Sequence, residues 1–341
     1  MIDEWQRDTI STPEQLRNYF PNIYVPSKVI QTFPMRVSKY YASLIKSARD
    51  PIWLQAIPDE RELDTDGFDD PLNEDENCPV PNLTHRYPDR VLLLVTNQCA
   101  MYCRFCTRKR KVGNEHCPVT SKTIQDGIDY VKHHPEVRDV IVSGGDPFTL
   151  PDHVIDSILS RLRAIEHVQI IRIHTRIPVV LPQRITPELC SILKKYHPLY
   201  INTHFNSPIE CTEEAKNACS LLADAGISLG NQSVLLKGVN DDPFIMRDLC
   251  HKLLMMRVRP YYLYQADLVR GIKHLRTELH VGTDLIRSLR GHTSGMAVPQ
   301  FVVDSPGGGG KVPISPNYIV ENTDNKVVFE NFEGRKYFYN L

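Results

Sequence analysis

Three cysteines fall within eight residues, Cys99, Cys103 and Cys106, in a C-x3-C-x2-C run. Three thiolates on one loop can hold three corners of a [4Fe–4S] cube and leave the fourth iron open to an outside ligand, whereas four-cysteine sites saturate the cluster. Zinc is the alternative, but it asks for a fourth ligand, which His116 or Cys117 would have to supply. Inert buried cysteines fit poorly, because the run contains Arg104 and follows the polar turn Thr96-Asn97-Gln98. The remaining six, Cys78, Cys117, Cys190, Cys211, Cys219 and Cys250, are scattered singly and are expected to be small buried apolar residues. An odd total of nine argues against a closed disulfide framework.

The second chemical segment is Asp304-Ser-Pro-Gly-Gly-Gly-Gly310-Lys311-Val-Pro. A phosphate-cradling P-loop would need glycine at Ser305 and a hydroxyl residue at Val312, so the nucleotide reading fails. A glycine ribbon can approach a planar cofactor, and a lysine at its end can form a Schiff base with an aldehyde such as pyridoxal phosphate (PLP). The plainer alternative is an exposed glycine loop with an incidental lysine. A third segment, Ser143-Gly144-Gly145-Asp146-Pro, gains weight from its place one strand–helix unit after the cysteines.

Such residues need a scaffold, and the periodicity supplies one. Apolar runs at Val91–Val95, Val137–Val142, Val168–Ile173, Leu199–Thr203, Ile227–Leu236 and Val258–Tyr264 alternate with helical-period stretches at Ile124–His134, Val154–Ile165, Glu188–Tyr196, Glu213–Ala225 and Pro243–Met256. This predicts parallel strands with right-handed crossovers, forming a curved parallel sheet or a partial (β/α)6 barrel. A helix over Asp284–Arg290 and a strand over Phe301–Val303 extend it, and the alternating tail Tyr318–Phe338 predicts short antiparallel strands. Before the barrel, residues 1–85 read as a helical and extended arm, with helices near Pro13–Tyr19 and Ser38–Lys46 and an acidic, proline-rich stretch from Asp59 to Pro81. The expected units are therefore 1–85, 86–296 and 297–341. In parallel α/β sheets chemistry sits at the carboxyl ends of strands, and Cys99, Gly144, Arg176, His204, Gln232 and Asp267 all lie at or near such ends.

Lys plus Arg (40) nearly cancels Asp plus Glu (41), so no strong field points to nucleic acid or an anionic membrane. No signal sequence opens the first thirty residues and no apolar run has the length of a membrane span, so the expected location is the cytoplasm.

The cysteine spacing, with Phe105 before the last thiol, resembles the radical S-adenosylmethionine (SAM) signature, and the Gly-Gly-Asp stretch is similar to that superfamily's second-strand glycine motif. From about residue 80 onward the chain resembles the lysine 2,3-aminomutase family. The resemblance is carried by His85-Arg-Tyr-Pro-Asp-Arg90, Ile201-Asn-Thr-His204-Phe205, Gly230-Asn-Gln-Ser-Val234, Arg259-Pro-Tyr-Tyr262, Arg290-Gly-His-Thr-Ser-Gly295 and the glycine–lysine segment. It implies that Cys99, Cys103 and Cys106 hold a [4Fe–4S] cluster, that Gly144, Gly145 and Asp146 approach SAM, and that His204 and Gln232 lie near SAM or PLP. It further implies that Lys311 carries PLP, that Arg86 and Tyr87 line its phosphate, and that Arg108 holds the substrate carboxylate. The implied chemistry is cleavage of SAM by the reduced cluster to a 5′-deoxyadenosyl radical, hydrogen abstraction from the β-carbon of the PLP-bound amino acid, and migration of the amino nitrogen. An external one-electron reductant is the implied partner, and a homo-oligomer the expected assembly.

Asp267 and Asp304 match the positions that hold the side-chain ammonium in lysine-specific members, where glutamate-acting members carry basic or amide residues. The expected substrate is accordingly a free basic amino acid, lysine first, with arginine or ornithine as alternatives. Short relatives acting on a lysine of a translation elongation factor, and a non-catalytic iron–sulfur or zinc-binding protein, are the remaining rivals. The extension that carries inter-subunit zinc cysteines in the longest members has no counterpart in these residues, and Asp242 stands where another zinc cysteine would be, so no structural zinc is expected.

Overall fold

The computed structural model describes residues 9–21 and 23–341. Nine strands form one sheet in which every strand lies beside its sequence neighbour. They are β1 (Leu83–Tyr87), β2 (Arg90–Leu94), β3 (Asp139–Ser143), β4 (Ile170–His174), β5 (Leu199–Thr203), β6 (Ser228–Leu235), β7 (Val258–Gln265), β8 (Gln300–Ser305) and β9 (Gly310–Pro313). Pairing is parallel from β2 through β8, and antiparallel only at the two ends, β1 with β2 and β8 with β9. Sheets of this kind are covered by their crossover helices and so read as near-continuous apolar runs; Val140, Val142, Ile171, Ile173, Leu199 and Ile201 are all buried.

The crossover helices are α1 (Ser121–Lys132), α2 (Asp152–Arg163), α3 (Pro187–Leu193), α4 (Glu213–Asp224), α5 (Pro243–Met255) and α6 (Leu279–Leu289). Four of the six starts carry a side-chain cap. Thr120 caps α1 by accepting from the Thr123 N–H, Thr212 caps α4, and Asp242 accepts from the Phe244 and Ile245 N–H groups at the head of α5. In α1 the residues Ile124, Gly127, Ile128 and Val131 form the buried stripe expected of an amphipathic helix.

The expected strands all appear, with ends shifted by at most two residues. The last helix begins at Leu279, five residues before its expected start. The arm holds two short helices that hydrophobic period could not reveal in so few residues, Ser27–Thr32 and Pro51–Ala56, the second capped by the Asp50 carboxylate. A three-stranded antiparallel sheet, Ile319–Asn322, Lys326–Glu330 and Lys336–Asn340, closes the chain. Of the six scattered cysteines, Cys190, Cys219 and Cys250 are buried on helix core faces. Cys78, Cys117 and Cys211 are only half-buried, although Cys211 still packs against the core; the Cys78 thiol donates to the Val80 carbonyl at 3.0 Å.

The arm wraps the cysteine loop. Backbone N–H groups of Tyr102 and Arg104 donate to the carbonyls of Arg36 and Gln55. The fully buried Arg104 guanidinium donates to both oxygens of Glu62 at 2.8 and 2.7 Å and to the Pro34 carbonyl at 2.9 Å. Removing one partner of a buried pair strands the other, at a cost of about 3–5 kcal/mol. Glu62→Ala should therefore lower stability by about that amount in denaturant unfolding, and Glu62→Ala with Arg104→Met should recover part of the loss. An unchanged midpoint for the single variant would contradict this account of the arm.

Candidate active site

A cavity of about 620 Å³ opens at the carboxyl ends of the parallel strands. All fourteen residues singled out from the sequence line it: Cys99, Cys103, Cys106, Arg108, Arg86, Tyr87, Gly144, Gly145, Asp146, His204, Gln232, Asp267, Asp304 and Lys311.

At its base the cysteine loop leaves β2 and is seated on the turn after β3. The Gly145 N–H donates to the Thr96 carbonyl at 2.6 Å and the Asp146 N–H to the Gln98 carbonyl at 2.7 Å. A Cβ on Gly144, which has φ +138°, would lie 2.2 Å from the Thr96 carbonyl oxygen, and one on Gly145 2.2 Å from that of Gln98. These two glycines are thus required by close packing of the loop itself, a reason independent of any ligand. The Asp146 carboxylate accepts from Thr175 Oγ1 at 2.7 Å, the Arg176 N–H at 2.6 Å and the Phe148 N–H at 3.1 Å, so it ties the end of β3 to the end of β4. Burial, aided by neighbouring negative groups, pushes the Cys99 thiol well above its usual range and the Cys106 thiol up to about 11. Among the described residues no three His, Cys, Asp or Glu side chains enclose a single ion. Three thiols on one loop suit a cluster whose ligands reach separate corners, and its positive irons would stabilise thiolates that burial disfavours.

The rim of the cavity is a seam where the two edge strands of the sheet meet. The Lys311 N–H on β9 donates to Tyr87 Oη on β1 at 2.9 Å. A Cβ on Gly308 would come within 2.7 Å of Arg86 Nη1, so the glycine run, here the turn between β8 and β9, lets the chain close over the arginine. Arg90 lies over the Tyr87 ring, 4.3 Å from its centroid. Guanidinium donors, an aromatic wall and a lysine amine within one seam suit a phosphorylated aldehyde such as PLP.

Beyond the seam stands the acidic pair. Asp304 faces Lys311 across the β8–β9 ladder and holds its Nζ at 3.1 Å. Burial, then the negative charge of Asp304, pushes the Asp267 carboxyl up to about 7. Two half-buried carboxylates beside one lysine offer negative charge to a cation. Arg108 lies on the cavity wall, but its fork is occupied: Nη2 reaches Glu74 Oε1 at 2.6 Å and Nε reaches both oxygens at 3.0 Å.

Glu74 was missed because only folding brings the acidic arm onto the basic strip Arg108–Lys111, where Asp70 and Asp75 also pair with Arg110. His174 was also missed. It lies half-buried on the cavity wall, and its Nε2 accepts from the Asn202 side-chain amide at 3.1 Å. Burial, then the Arg172, Lys311 and Arg108 charges, depress it to about 3, so it stays neutral. A histidine ending a strand run was the available signal. His204 is likewise held far below its usual range by burial, then by Arg176.

Two family descriptions match the chain: "Radical SAM superfamily" over residues 93–247 and "Lysine-2,3-aminomutase" over residues 286–340. The L-lysine 2,3-aminomutase of Acetoanaerobium sticklandii is 54% identical over 97% of this chain and 82% of its own length. That of Clostridium subterminale is 52% identical with the same coverage, 97% and 82%. The glutamate 2,3-aminomutase of Clostridioides difficile is 48% identical over 89% of this chain and 72% of that one.

Asp267 should titrate near pH 7 in carbon-13 NMR of carboxyl-labelled protein, ionised above and protonated below. Asp304→Asn should bring that midpoint down, because a like charge is removed, yet leave it above the usual aspartate value, because burial is the larger cause. A midpoint near 4 in the parent protein would contradict the buried acidic pair.

Proposed function

Because the chain belongs to the lysine 2,3-aminomutase family of radical SAM enzymes, we propose that its cavity binds free L-lysine with the side-chain ammonium between Asp267 and Asp304 and the carboxylate at Arg108. The enzyme is an isomerase, and it interconverts L-lysine and β-lysine. When bound, the [4Fe–4S] cluster, SAM and PLP supply the electron, the organic radical and the carrier that spreads spin while the nitrogen moves. An external one-electron reductant completes the system.

The chain's own residues hold and orient. Cys99, Cys103 and Cys106 are the cluster ligands in this reading, with Gly144, Gly145, Asp146, His204 and Gln232 bordering SAM. Arg86 and Tyr87 receive the PLP phosphate, and Lys311 is its covalent anchor. Once the Lys311 amine is engaged elsewhere, Asp304 is released to a second cation. Arg108 keeps Nη1 outside the Glu74 fork and can offer it to a carboxylate. A homo-oligomeric cytoplasmic enzyme fits this reading; the exposed Ile319, Phe329 and Phe338 of the C-terminal sheet support self-association. No helix among the described residues is long and apolar enough to cross a membrane.

The acidic pair carries the choice of substrate. At an effective dielectric near 20, unit charges ~4 Å apart interact by about 4 kcal/mol, of which desolvation takes back part. That term attracts an ammonium and repels the side chain of glutamate. With PLP, SAM and dithionite under anaerobic conditions, lysine should yield β-lysine by mass spectrometry, and glutamate should return unchanged. If lysine, arginine, ornithine and glutamate all return unchanged while SAM is cleaved, the free-amino-acid reading fails. Asp267→Asn should lower kcat/KM for lysine about thirtyfold or more, the scale of an unpaired buried charge at about 2–5 kcal/mol. A loss under threefold would remove Asp267 from the recognition of lysine.

A further inference from the structure

Arg176 does nothing in the scheme above, yet it is the most heavily tethered side chain around the cysteine loop. It follows β4, and its side chain is only 8% exposed. Nη1 donates to Cys103 Sγ at 2.9 Å, and Nε to the His204 carbonyl at 3.1 Å. Nη2 reaches Gln55 Oε1 at 2.5 Å and Glu210 Oε1 at 2.9 Å. The guanidinium also lies over the Phe105 ring, 5.3 Å from its centroid, and over Tyr41 at 5.6 Å. Glu210 is fully buried and saturated in turn by the Tyr41 hydroxyl at 2.5 Å and the N–H groups of Asn206 and Ser207 at 2.5 and 2.8 Å.

We propose that Arg176 is a positioning residue that sets the reduction potential of the iron–sulfur cluster, acting through its bond to Cys103 Sγ, with Glu210 as the counter-charge that fixes and moderates it. The inference rests on the family reading given above. Reduction adds one electron, taken from the external reductant, and increases the negative charge on the ligand sulfurs. A cation and an N–H held at one sulfur stabilise that state more than the oxidised one and raise the potential. Burial makes the effect larger than at a surface. Guanidinium is permanently charged, so the effect persists across the working pH range. Its planar fork spans Cys103 on one side and Glu210 with Gln55 on the other, which a lysine ammonium cannot do. The dense tethering means that the cation is already in place when the electron arrives.

The test is an EPR-monitored redox titration of anaerobically reconstituted protein, with iron and sulfide content measured first. Glu210→Gln keeps the shape of the side chain and removes the opposing charge, so its cluster should become easier to reduce. The doubly neutral variant Arg176→Gln, Glu210→Gln should become harder to reduce. Its reduced-to-oxidised ratio at a fixed potential should fall at least tenfold, ~59 mV for a one-electron couple. Arg176→Lys should fall between that variant and the parent. Opposite signs for the two kinds of variant would not follow from a merely structural role. Should the Arg176 variants fail to fold, Glu210→Gln alone decides, and an unmoved potential in it overturns the proposal. Loaded variants that all titrate with the parent overturn the role of Arg176 and leave the family reading intact. A parent protein that takes up no cluster overturns that reading first.

Discussion

Among the guanidinium groups around the cysteine loop, three are met by a buried carboxylate, without which each charge would be left poorly compensated: Arg104 by Glu62, Arg108 by Glu74, Arg176 by Glu210. The rest of the site depends on these pairs. Two of the carboxylates come from the arm, so the arm is part of the site's wall, and without it two arginines beside the thiols would be stranded. The third, which follows β5, joins the loop to the far side of the barrel. Buried ion pairs add little net stability compared with apolar packing, but breaking one is costly. They therefore act here chiefly as fixed points, setting where the loop lies.

The second constraint is topological. A sheet whose strands follow one another in sequence order curls until its edges approach, and here the edges meet at Tyr87 and Lys311. That seam brings the arginines of β1 and β2 against the turn after β8. Arg86, Arg90, the lysine and the acidic pair can share one cavity only because residues more than two hundred positions apart close the same sheet.

Much of this was legible in the sequence. The cysteine spacing, the strand runs and the glycine–lysine segment each carry a local signal, and all fourteen chosen residues line one cavity. What escaped was non-local or ambiguous. Nothing in the acidic stretch marks Glu74 as the partner of Arg108 rather than one more solvated acid. Arg176 stood at a strand end, but its bond to Cys103 exists only once β4 lies beside the loop. The glycines after β3 were read as an approach to SAM; their close contact with Thr96 and Gln98 is a further reason for them, which no periodicity reports. The short helices of the arm are fixed by caps and tertiary packing rather than by an apolar stripe.

In the proposed function, opposite ends of one substrate are read by opposite charges, acidic at Asp267 and Asp304 and basic at Arg108. The most direct measurement is an anaerobic crystal structure of the enzyme loaded with its cluster, SAM, PLP and L-lysine. The account predicts the side-chain ammonium within hydrogen-bond distance of both aspartates and the carboxylate on Arg108. An ammonium turned away from the aspartates, or a carboxylate held elsewhere while Glu74 and Arg108 remain a closed pair, would contradict it.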